Sequence, residues 1–194
     1  MESSRGKAHL PRFSFTKQKR EEERFCLTLK EDELVIVEGL HALNPIITDT
    51  LDKEKLSKLY VSVSSRMMSG GSVFLSKRDI RFVRRMVRDY YFRNSKVDYT
   101  FFLWNGVRMG EDRYLFPFSS LADMKIDSFH SYEMCVLKTT ALELLAHIEN
   151  KSPYYERATE LCEKLSQFVA IEKGRIPQDS LLREFVGQEE THLG

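Results

Sequence analysis

The sequence predicts a mixed α/β fold in which a parallel sheet is flanked by helices. Three observations carry that expectation. An apolar run of four, Leu34-Val35-Ile36-Val37, is closed by Glu38-Gly39 and reads as a fully buried strand. A second apolar run, residues 58–63 (KLYVSV), follows a short helical stretch at residues 51–58 (LDKEKLSK). Strand, helix and strand in that order predict a βαβ unit, because parallel strands need a crossover connection. Third, residues 79–93 (DIRFVRRMVRDYYFR) place Ile80, Val83, Met86 or Val87 and Tyr90 at steps of three and four, which makes one apolar stripe on a helix.

The other elements follow in order. Residues 1–33 are polar and dense in charge, broken by Pro11, Phe13 and Phe15, and read as an N-terminal segment. Residues 34–194 then form the α/β domain. Residues 94–121 hold two Gly, a Pro and many aromatics, and read as an ordered loop with a short strand. Residues 122–127 (ADMKID) alternate and read as a third strand, and residues 133–137 (EMCVL) as a fourth. Helices are expected at residues 139–149 and 153–169, the second started by Ser152 as cap and Pro153 in its first position. Residues 180–187 read as a last short helix closed by Gly187.

Composition narrows the function classes. A chain of 194 residues that is 42% hydrophobic can bury a core, so wholesale disorder is not expected. Thirty Lys and Arg against 29 Asp and Glu do not describe a generally basic nucleic-acid binder. No apolar run reaches the ~18–20 residues of a membrane span, and the first twenty residues lack the apolar core of a secretory signal. Cys26, Cys135 and Cys162 are far apart and odd in number, which fits neither a zinc pair nor a disulfide framework. A reduced, cytoplasmic setting is the expectation.

The chemistry is concentrated in residues 77–93. Lys77, Arg78, Arg81, Arg84, Arg85, Arg88 and Arg93 stand there against Asp79 and Asp89. On a helix, Arg81, Arg84 and Arg88 share one face and Arg85 lies beside it. Guanidinium groups on one ridge repel unless anions sit between them, and their planar forks suit polyphosphate. A solvated helix face with salt bridges is one rival reading, and a non-catalytic module that binds nucleotide or RNA through this ridge, or regulates a full-length kinase, is the other. The RNA reading needs stacking partners, and Tyr90, Tyr91 and Phe92 are expected in the core because they continue the apolar stripe.

Glu38 is expected at the carboxyl end of a buried parallel strand, the edge where ligands of open α/β sheets sit. A carboxylate there can hold magnesium through water or orient a hydroxyl. His41 and His130 read as structural.

Several segments, taken in order, resemble the uridine kinase-like nucleoside kinases of the phosphoribulokinase and uridine kinase family. Leu10-Pro11-Arg12-Phe13-Ser14-Phe15, with Arg20, is similar to their nucleoside-substrate loop. The strand and turn Val35-Ile36-Val37-Glu38-Gly39-Leu40-His41-Ala42-Leu43-Asn44-Pro45 resembles the next motif. Residues 78–89 (RDIRFVRRMVRD) resemble the arginine-bearing lid, and residues 110–118 with Ala122-Asp123 the approach to a late strand.

The resemblance implies a P-loop kinase-type sheet and phosphate transfer from ATP, with Mg²⁺, to a nucleoside 5′-hydroxyl. It implies lid roles near the ATP phosphates for Arg81, Arg84, Arg85, Arg88 and Arg93, with Arg84 and Arg88 as the catalytic pair. It places Phe13, Phe15 and Arg20 at the nucleoside, and Glu38 near the metal through water. Ser14 and Gln18 stand where the family loop commonly carries Asp and His. A P-loop ends in Gly-Lys-Ser/Thr, whereas the chain's Gly6-Lys7 is followed by Ala8. The sheet is therefore expected to be incomplete, corresponding to the C-terminal half of such a kinase. The isolated chain is expected to be inactive, and a P-loop-bearing N-terminal half or a homo-oligomer is its expected partner.

Overall fold

The computed structural model describes residues 7–14, 19–30 and 32–186. They fall into two compact units, residues 1–39 and 40–194.

The first unit is built on an antiparallel hairpin of β1 (Lys7–Ser14) and β2 (Lys19–Thr28). The register runs from Lys7 opposite Thr28 to Ser14 opposite Lys19, with an irregularity between Pro11 and Phe13. Proline has no N–H to give a ladder, so a break at Pro11 is the expected place for one. Paired strands thus stand where a polar segment with a substrate-loop-like motif is expected. Residues 34–37 correct a firmer expectation. They sit in no sheet, and Leu34 and Ile36 are 77% and 83% exposed. Apolar character makes a strand only when another strand offers its backbone, and none of the described residues does so here.

The second unit is a mixed α/β body with small parallel and antiparallel sheets flanked by helices. Its chain starts with a single helical turn, α1 (Pro45–Thr48), capped by the Asn44 side chain on the Ile46 amide. The helix expected over 51–58 shrinks to one 3₁₀ turn, Lys53–Lys55. Strand β3 (Leu59–Ser62) follows, then a tight hairpin of β4 (Met67–Ser69) and β5 (Ser72–Leu75). Gly70 and Gly71 join these two strands at φ 55° and 81°. Two positive φ values in a two-residue connection match the twist of a hairpin, and glycine adopts them without strain.

Helix α2 (Lys77–Arg93) opens on a complete capping box, with Ser76 and Asp79 each bonding the other's amide. It ends at Asn94 in the left-handed conformation, φ 48°. Helix α3 (Val97–Tyr114) follows at once, in place of the expected loop. Then come β6 (Met124–Asp127), α4 (Glu133–Leu145), α5 (Tyr155–Ser166) and the single turn α6 (Arg183–Val186). The strand expected at 133–137 is the first part of α4. Ser152 does not cap α5; its hydroxyl accepts from the Tyr154 amide and makes a turn before the helix.

A parallel pairing does form, but between β3 and β6, from Leu59 opposite Met124 to Ser62 opposite Asp127. The crossover between them is therefore the β4–β5 hairpin with α2 and α3, and not the expected short link from residue 37 to 58. Two aspartates clamp the pair. Asp123 accepts from the Lys58 amide at 2.8 Å before β3, and Asp127 accepts from the Ser64 amide and the Ser65 hydroxyl after it.

The core lies between α2 and the later helices. Ile80, Val83, Met86 and Val87 are buried against Met134, Leu137, Ala141, Leu161, Leu165 and Phe185. The predicted stripe on α2 is thus correct over two turns, but Tyr90 lies half exposed beyond it. Phe82 packs on Phe101 at 4.6 Å and edge-on to Trp104 at 5.3 Å, which fixes α3 against α2. None of the described helices is long and apolar enough to cross a membrane.

Candidate functional site

The arginines of α2 divide into two sets, and counterions make the division. In the N-terminal part of the helix each guanidinium is matched to a carboxylate. Arg78 pairs with Asp112 at 2.8 Å. Arg81 pairs with Glu111 and donates to the Ser62 hydroxyl at 2.9 Å. Arg84 is the most committed. Its Nε and Nη2 both donate to Glu133, its Nη1 and Nη2 donate to the Ser128 hydroxyl and carbonyl at 3.2 and 2.6 Å, and its plane lies 5.1 Å from the centre of the Phe185 ring. Arg84 is 6% exposed and Glu133 fully buried. Burial pushes the Glu133 carboxyl above its usual range, although Arg84 pulls it down.

The C-terminal part is different. Arg85, Arg88 and Arg93 all converge on the buried carboxylate of Asp89, at 3.2, 3.1 and 3.2 Å. Asp89 also accepts the Asn94 and Ser95 amides on its carbonyl oxygen, so it closes its own helix. Three positive charges on one negative charge leave a surplus of about two. Burial lowers the Arg85 pKa, Asp89 opposes that, and the nearby Arg88 and Arg93 lower it further. The surplus borders an open cavity of about 370 Å³ lined by Arg85, Asp89, Arg93, Lys96 and Tyr99 among others. Lys96 adds a further cation just before α3, whose first turn has no side-chain cap. The site is thus made of two helix ends, one closing on Asp89 and one opening at Lys96.

The remaining expected site residues lie in the first unit. Phe13 and Arg20 are opposite one another in the β1–β2 register, and Arg20 is exposed. Phe15 lies outside the described residues. Glu38 is exposed after the unpaired apolar run. A magnesium ion would find one carboxylate there, and no group of three or more potential ligands exists among the described residues. The described residues alone do not fit a metal site, and no step is drawn through one.

Sequence reasoning missed four participants. Glu111 and Glu133 are thirty and forty-nine residues from the arginines they meet, on helices that were read as a loop and as a strand. Lys96 and Tyr99 were missed for the same cause. The expected burial of the aromatics is also corrected: Tyr90, Tyr91 and Phe92 are all exposed. Tyr99 and Phe102 are exposed as well and stack on one another at 6.2 Å.

The chain matches no protein-family model, no curated protein and no solved structure.

Proposed function

We propose that this chain grips the phosphates of a nucleotide at Arg85, Arg88 and Arg93, as the lid-bearing portion of a nucleoside kinase of the uridine kinase-like type. The observation that supports it is the three-to-one imbalance around Asp89 beside an open cavity. An incoming polyphosphate supplies the missing negative charge. Arg88 and Arg93, more exposed than Asp89, can swing from the carboxylate to the ligand without uncovering the core. Arg81 and Arg84 act as positioning residues in this reading, since their donors already serve Glu111, Glu133 and two serines.

In the kinase reading these arginines stabilise charge on a phosphoryl group passing from ATP to a nucleoside 5′-hydroxyl, an effect worth ~10³–10⁵ in rate where it is known. The backbone cradle and lysine of a P-loop would come from a second polypeptide. The chain alone is then expected to bind polyphosphate weakly and to turn over no nucleoside.

The test is titration with inorganic tripolyphosphate and with ATP. Binding should fall steeply with salt, and Arg88→Ala and Arg93→Ala should each weaken it about five- to tenfold, the worth of a charge-assisted hydrogen bond partly screened by solvent. Lys55→Ala, which removes a cation that does not line the cavity, should leave it unchanged. No binding, or binding indifferent to both arginines, overturns the reading. Turnover by the chain alone at ~1–100 per second overturns the assignment of the cradle to another polypeptide.

A second reading, single-stranded RNA binding, is favoured by the exposed Tyr99 and Phe102 beside Lys96, since aromatic faces beside cations suit unpaired bases. RNA binding lost in Tyr99→Ala and not displaced by tripolyphosphate would select it.

A further inference from the structure

The cavity beside Asp89 has two chemically different walls. One is cationic and carries Arg85, Arg93 and Lys96. The other is apolar and carries Tyr99 and Leu103, one turn apart on α3. Tyr99 is 54% exposed. Phe102 lies nearly parallel to its ring, 6.2 Å away at 21°, and does not line the cavity, so it backs the tyrosine from outside. The turn between the helices adds Asn94, whose side-chain amide bonds no other described residue. Its backbone stands at φ 48°, a conformation that glycine would supply without any side chain. The amide therefore serves neither the turn nor a neighbour.

A bare polyphosphate engages only the cationic wall. It leaves Tyr99 and Leu103 in water, although covering them with an aromatic ring is favourable. A ligand that matches both walls carries negative charge at one end and a flat ring at the other, which is the plan of a nucleotide. The volume of about 370 Å³ falls at the small end of the ~300–1,000 Å³ of small-molecule sites, a size that suits a single nucleotide.

We infer that the cavity reads the base as well as the phosphates: one nucleotide lies across it, its phosphates on Arg85, Arg93 and Lys96, its base stacked on Tyr99 beside Leu103, and its base edge bonded to the Asn94 amide. The inference rests on the phosphate-gripping reading of the same arginines and makes Tyr99 the residue that separates nucleotides from other polyphosphates. Stacking is tolerant of sequence, because every base has a π-face. An amide, with one acceptor and two donors, can discriminate among base edges. Tyr99 thus sets the preference for a base, and Asn94 the preference among bases.

The experiment titrates the full chain with ATP, with UTP and with ribose 5-triphosphate, which has the same triphosphate and no base. Both nucleotides should bind at least about fivefold more tightly than ribose 5-triphosphate, the low end of what stacking on an aromatic side chain is worth. In Tyr99→Ala that ratio should fall to about one, and in Tyr99→Phe it should persist. Asn94→Gly, which keeps the left-handed backbone, should bring ATP and UTP closer to one another in affinity while both stay ahead of ribose 5-triphosphate. Equal affinity for all three ligands, with the dependence on Arg88 and Arg93 intact, overturns this inference and leaves the phosphate reading standing. A nucleotide preference that survives Tyr99→Ala also overturns it, as does RNA binding through Tyr99 that none of the three ligands displaces. No binding of any triphosphate overturns both readings.

Discussion

Replacing Arg84 by alanine should destabilise the second unit by about 3–5 kcal/mol, the cost of stranding one member of a buried ion pair. The structure shows why the upper end is in reach. Arg84 donates twice to Glu133 and twice to Ser128. The other oxygen of Glu133, Oε1, is already buried without a partner. Without the guanidinium, a fully buried carboxylate must either hold an unbalanced charge or take up a proton. Phe185 loses the cation it faces as well. For a body of this size the shift in melting temperature should be about 6–20 °C. The assay is urea unfolding followed both by circular dichroism and by the fluorescence of Trp104, which packs against Phe82 and reports on the same core. The double variant Arg84→Met/Glu133→Leu should recover most of the loss, because well-packed apolar replacements of a buried pair are often neutral or better. A loss under about 0.5 kcal/mol in Arg84→Ala, the ordinary range for surface changes, would refute the reasoning. It would mean that the guanidinium is solvated and free for a ligand.

Other outcomes follow from the same structure. Hydrogen bonds from Ser65, Ser64 and Phe129 outweigh burial and hold the Asp127 carboxyl below its usual range. The stability it contributes is therefore full above the unfolded carboxyl value and is lost as pH falls through the lower folded value. Urea midpoints measured between about pH 5 and pH 2 should decline with acid, and Asp127→Asn should flatten that decline. Gly71→Ala should cost about 1 kcal/mol through its positive φ alone, since a methyl group there meets open space. Gly106→Ala, at an equally open site inside α3, should instead stabilise by about 0.5–1 kcal/mol. Both are read from urea melts.

The legible parts of the fold were those in which one local signal decides the outcome. The stripe Ile80–Val83–Met86/Val87 specifies α2 from residue 79 on without reference to the rest of the chain, while the Ser76/Asp79 box, which starts the helix at Lys77, went unread. Residues 58–63 were readable as a strand from a short apolar run with clear breaks, and residues 122–127 from their alternation of apolar and polar side chains. Helix α3 was not readable as a helix. It holds Gly106 and Gly110, and its aromatics are spread around the axis so that no single apolar face emerges. The first half of α4 misled for a related reason, since Met134, Val136 and Leu137 are buried together and a short apolar run fits strand or helix alike. Residues 34–37 show the opposite failure. Their local preference is for a strand, but pairing is a property of two segments. The arginine ridge was visible, yet its division was not. Which guanidinium groups stay available depends on Glu111, Glu133 and Asp89, and only the last of these is near them in sequence.

The ring that covers Arg84 belongs to Phe185, about a hundred residues further along the chain. Ribosomes add ~5–20 residues per second, so on a nascent polypeptide this cation waits ~5–20 s for its cover. Glu133 emerges about halfway through that interval and must bind Arg84 while the surrounding wall is still unmade. The order of synthesis thus sets a window in which α2 is paired but wet, and the last turn, α6, shuts it.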